Sequence, residues 1–82
     1  MSSPDILRGL ADILHEVVGT DQALVVPTAA FDEDLDVDSL SMVEVVVACE
    51  ERFGVRIPDK DLEGLRTVGD AVDYIAQAGV AA

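Results

Sequence analysis

The stretch "FDEDLDVDSLSMVEVVVACEERFG", residues 31–54, sets five acids in its first eight residues, then Ser39, then an apolar run broken by Glu44, Glu50 and Glu51. Asp38 is a good N-cap residue and Gly54 a good stop, so a helix is predicted from Ser39 to about Phe53. Placed about 100° apart with Ser39 at zero, Val45, Cys49, Met42, Phe53 and Val46 fall in one arc between about 240° and 340°. That arc is the expected core face. Leu40, Val43 and Val47 fall instead at about 40° to 100°, beside Glu44, Glu50 and Glu51 and next to Ser39. For an arbitrary helix the plainer reading would be scattered surface aliphatics, or cover from a neighbouring helix. The glutamate rim favours a docking face, with apolar grip and charged orientation.

Working outward, Ser3-Pro4-Asp5 reads as an N-cap, a first-turn proline and a dipole-matching acid. Ile6, Leu10, Ile13, Leu14 and Val17 follow at helical spacing, so a first helix is predicted over roughly residues 4 to 18, ended by Gly19. From Gly19 to Val37 no period persists and Pro27 interrupts. Leu24, Val26, Phe31 and Leu35 are the expected anchors of this long loop, and loops of such length are often functional. Ile57-Pro58 is extended, "PDKDLEGL" can form one or two helical turns, and "TVGD" at 67–70 resembles a capping box with Asp in place of Glu. Val68, Ala71, Val72 and Ile75 then share a face until Gly79, and the terminal "GVAA" is expected to fray. The sum is an all-α fold: one domain over residues 1–82, a small four-helix bundle with a long loop between the first two helices and a short third helix.

Composition bounds what such a domain can do. Half of the 82 residues are hydrophobic and few are aromatic, giving a small aliphatic core with a narrow margin of stability. Seventeen acids against five bases give a net charge of -12. That charge repels nucleic acid and anionic lipid, and favours quick docking to basic patches on other proteins. Cys49 is the only cysteine, so no internal disulfide is possible and a reducing cytoplasm is expected. No export signal and no apolar run of membrane-spanning length is seen.

Ser39 at a helix start is ordinary capping chemistry on spacing alone. The same position offers backbone N–H groups and the positive end of the helix dipole, which suits a serine that is phosphorylated or phosphopantetheinylated. Other constellations fit less well. A calcium loop from Asp32 has acids at its first, third, fifth and seventh places, but Val37 stands where Gly is needed and Val43 where Glu is needed. A serine hydrolase needs a histidine and a nucleophile elbow, which "DVDSLSM" does not supply. His15, the only histidine, points about 180° from the apolar face of its helix and is read as solvent-exposed. Cys49 lies in the core arc as a small buried hydrophobe. No metal site is expected.

With "DLDVDSL" (34–40), "DSLSMVEVVVACEERFGVRIPD" and "TVGDAVDYI", the chain resembles acyl carrier proteins over nearly its whole length, most closely the discrete carriers of actinobacterial type II fatty acid synthesis. The resemblance implies that Ser39, after Asp38, receives 4'-phosphopantetheine from coenzyme A through a magnesium-dependent phosphopantetheinyl transferase. It implies a carrier that performs no chemistry itself. Ketosynthase, reductase, dehydratase and acyltransferase enzymes would read Asp38, Leu40, Val43, Glu44, Val47, Glu50 and Glu51 through basic patches. A monomer is expected, with an acyl cavity bordered by Phe31, Val46, Cys49, Ile57, Leu62, Ala71 and Ile75, closed or slight before acylation. A dedicated carrier of a polyketide or other secondary pathway is the alternative. An unmodified helical interaction module and a calcium-binding regulator remain outside the family.

Overall fold

The computed structural model describes residues 3–78, and among these the architecture is all-helical. The helices are α1 (Ser3–Val17), α2 (Ser39–Phe53), α3 (Asp59–Leu62) and α4 (Val68–Gln77), with a single 3-10 turn at Gln22–Leu24. They form the expected four-helix bundle: α1 packs along both α2 and α4. Ile6, Leu10 and Leu14 of α1, Val45 of α2, and Val68 and Ile75 of α4 are the largest side chains sealed from water. Each such burial stabilises by about 1.5–3 kcal/mol, so these few side chains carry much of the fold in so small a protein.

Local chemistry sets the helix ends. α1 takes in Ser3, expected as its cap, and ends at Val17, with Gly19 in the left-handed region at φ 81°. The Asp38 carboxylate caps α2, and Gly54 stops it with φ 66° while donating its N–H to the Glu50 carbonyl at 2.9 Å. Thr67 and Asp70 cap α4 reciprocally: the Thr67 hydroxyl accepts from the Asp70 N–H, and the Asp70 carboxylate from the Thr67 N–H. Gly79 and the "GVAA" terminus lie outside the described residues.

Helix α3 is one turn long, and side chains hold it in place. The Ile57 N–H, just before it, donates to Glu50 Oε2 at 2.8 Å, and the Tyr74 hydroxyl of α4 donates to Asp61 Oδ2 at 2.7 Å. Asp61 beside it raises the Tyr74 phenol above its ordinary pKa.

The loop from Gly19 to Val37 departs in part from expectation. Phe31 and Leu35 are buried as foreseen, but Leu24 and Val26 are exposed, and Val25, Ala29 and Val37 are the buried residues instead. The cause is the 3-10 turn, in which Asp21 accepts the Ala23 N–H and which leaves Leu24 exposed while Val25 is buried. Further along, the loop is stitched to the α3–α4 link. Phe31 N–H donates to the Arg66 carbonyl at 3.0 Å, Val68 N–H to Ala29 at 2.9 Å and Gly69 N–H to Pro27 at 2.9 Å. This seam requires glycine at 69, because a Cβ there would sit 2.9 Å from the Pro27 carbonyl oxygen. The seam brings the acidic loop, the start of α2 and Arg66 to the same end of the molecule.

Candidate functional site

The site begins with a backbone turn. Asp36 is the one described non-glycine residue with positive φ, at 59°. Aspartate tolerates that region better than most residues. After this turn, Val37 is buried and its N–H donates to the Phe31 carbonyl at 2.8 Å, while Asp38, Ser39 and Leu40 are exposed. Ser39 is thus the exposed first residue of α2, on a base anchored to the core on one side.

Asp38 is extended, with φ -80° and ψ 176°, and its Oδ1 accepts the Ser41 N–H at 2.7 Å. The Ser41 N–H, then the Ser41 hydroxyl and the Leu40 N–H, hold the Asp38 carboxyl below the ordinary carboxylate range. Its cap is therefore charged at neutral pH. Asp38 has also claimed donors that an anion on Ser39 would otherwise find at the helix N-terminus.

Beside Ser39 opens a solvent-facing cleft of about 600 Å³. Phe31, Val37, Met42 and Leu65 give it apolar surface; Asp32, Glu33 and Asp38 make it acidic, and Arg66 contributes its one cation. The exposed hydroxyl and the open, mixed-polarity cleft leave room for a long, flexible phosphate-linked arm on Ser39.

Along α2 the surface follows the angular reading. Leu40, Val43 and Val47 are 72%, 50% and 46% exposed, and Glu44 and Glu51 are exposed beside them. Glu50 is different: it is half-buried and its carboxylate accepts the Ile57 N–H, so it ties α2 to the α3 approach rather than standing free on the rim. On the core face Val45, Val46, Cys49 and Phe53 are buried and Met42 is half-buried, turned partly to the cleft. Burial pushes the Cys49 thiol up to about 12, which makes it a poor nucleophile. His15 is exposed, its Nδ1 3.1 Å from the Thr20 carbonyl oxygen.

Of the seven residues expected to border an acyl cavity, Phe31, Val46, Cys49, Ile57, Ala71 and Ile75 are buried and Leu62 is half-buried. Only Phe31 lines the cleft beside Ser39. Sequence reasoning missed Arg66 and Leu65 there, and the available signal was their place just before the "TVGD" cap. Among the described residues no group of three or more His, Cys, Asp or Glu is placed to hold a metal ion, and no helix is long and apolar enough to cross a membrane.

Comparison with known proteins agrees with this geometry. The family described as "Phosphopantetheine attachment site" matches residues 8–75. An acyl carrier protein of Acidothermus cellulolyticus is 62% identical over all of this chain and 98% of its own length. A meromycolate extension acyl carrier protein of Mycolicibacterium aurum is 55% identical over 90% of this chain and 76% of its own. Among solved structures, the acyl carrier protein from Enterococcus faecalis superposes with a TM-score of 0.79 at 34% identity, covering 96% of this chain and all of that one. Members of this family work with a phosphopantetheinyl transferase and the enzymes of fatty acid synthesis. The chain belongs to the acyl carrier protein family: it is a carrier and not an enzyme, and its cofactor is covalently attached 4'-phosphopantetheine.

Proposed function

We propose that Ser39 is the attachment residue and that the chain carries intermediates of fatty acid synthesis. The observation that carries this reading is the exposed Ser39 hydroxyl at the start of α2, between the charged Asp38 cap and an open cleft. In the attachment step the serine oxygen forms a phosphodiester with the phosphopantetheine phosphate, its proton leaves, and the nucleotide portion of coenzyme A departs. The attached arm supplies a terminal thiol that holds acyl groups as thioesters. This chain's own residues present the hydroxyl and mark its surroundings for partner enzymes.

The docking face is assigned to Leu40, Val43 and Val47 with Glu44 and Glu51, joined by Asp38. Glu50 belongs to the scaffold beneath it. Basic patches on the transferase, ketosynthase, reductase, dehydratase and acyltransferase would read these charges. The acyl chain is assigned to the aliphatic interior bordered by Val46, Cys49, Ile57, Leu62, Ala71 and Ile75, with Phe31 at the boundary to the cleft. The cytoplasm is the compartment proposed, in keeping with the lone buried thiol. A second reading, long-chain extension, is supported by the meromycolate extension carriers among the relatives.

Incubation with coenzyme A, magnesium and a phosphopantetheinyl transferase, followed by intact mass, tests the attachment. A single phosphopantetheinyl addition is expected. An unchanged mass would instead favour an unmodified interaction module.

A further inference from the structure

We infer that Arg66 is a positioning residue for the phosphodiester attached at Ser39, an inference that rests on the attachment proposed above. A phosphate ester on Ser39 enters an acidic neighbourhood, since Asp32, Glu33 and Asp38 line the same cleft. The helix N-terminus offsets that only in part, because Asp38 already accepts the Ser41 N–H. Arg66 is the one basic residue that lines the cleft, is exposed, and makes no ion pair among the described residues. Its backbone is fixed at both ends: its N–H donates to Asp70 Oδ2 at 3.3 Å, and its carbonyl accepts the Phe31 N–H at 3.0 Å. A guanidinium on so fixed a base needs to order only its own side chain to pair with a phosphate, and its planar donors match phosphate oxygens. Arg66 thus selects arm conformers that lie toward the cleft over those that point away.

The test compares apo and holo forms of the parent, Arg66→Gln and Arg66→Lys, with intact mass confirming conversion of each. Arg66→Gln is expected to lower the thermal midpoint of the holo form by about 2–4 °C more than that of the apo form at low salt, the size expected of an exposed charged pair in a domain of this length. The excess should shrink at high salt and be partly restored in Arg66→Lys. The Arg66 Nε–H resonance should shift on conversion of the parent, and the ³¹P resonance should differ between parent and Arg66→Gln. Equal losses in apo and holo forms, with no shift of either resonance, would overturn the role of Arg66 while leaving Ser39 as the attachment site. Failure of the parent to gain mass would overturn both.

Discussion

Asp38 is the residue on which the site turns, because one carboxylate both starts α2 and sets the charge beside Ser39. Its pKa is depressed in the folded protein, so its contribution to stability is present above the ordinary aspartate value of about 3.9 and is lost as pH falls through the folded value. Asp38→Asn keeps a capping side chain but removes the charge. Its stability deficit relative to the parent is therefore expected to be largest at neutral pH and to shrink below about pH 4. Denaturant midpoints across that range check this, and a deficit that persisted at low pH would show that the charge is not the cause. Ser39, Asp38 and Cys49 were legible from sequence because helix caps and helix angles are local properties. Glu50 was not, since its partner is a backbone N–H seven residues on in irregular chain, and the angular plot counts every glutamate on an outward arc as free. Leu24 and Val26 misled for a related reason: no period governs a loop, and a short 3-10 turn decided which valine was buried.

Among the elements, α2 was the most legible, with both ends, the core face and the exposed apolar strip found from spacing and Glu50 the exception. Among the described residues nothing covers the exposed strip of Leu40, Val43 and Val47, and Glu44 and Glu51 stand beside it. Charge of this kind acts on encounter rate and orientation, and it is screened over about 8–10 Å at physiological ionic strength. Glu44→Lys and Glu51→Lys are each expected to slow the transferase or ketosynthase reaction several-fold at low salt, with helicity unchanged and with the difference narrowing as salt rises. Unaltered rates at low salt would place the docking face elsewhere. Glu50→Ala, which removes the acceptor of the Ile57 N–H, should behave differently, as a loosening of the α3 approach more than a docking defect. What spacing could not show was the seam between the loop and the α3–α4 link, because its hydrogen bonds join residues far apart in sequence. The far wall of the cleft beside Ser39, with Leu65, Arg66 and Thr67, is joined to the loop by that seam, which is why Arg66 and Leu65 escaped the sequence reading.

At the scale of the whole molecule, a core of aliphatic side chains faces a cargo of the same chemistry. Moving an alkyl chain out of water gains about 0.8 kcal/mol per CH₂, while the interior must give up existing packing to admit it. One-turn α3, held by the Glu50 and Tyr74 side chains, is the element that can move at least cost. Thermal midpoints are therefore expected to rise from the holo form through a series of lengthening acyl chains until the interior is full. A flat or falling series would mean that the chain stays outside. All of this depends on one hydroxyl. The direct measurement is intact mass after incubation with coenzyme A, magnesium and a phosphopantetheinyl transferase, made side by side on the parent, Ser39→Ala and Ser41→Ala. One phosphopantetheinyl addition on the parent and on Ser41→Ala, and none on a folded Ser39→Ala, is the expected result; the same addition on Ser39→Ala would contradict the account.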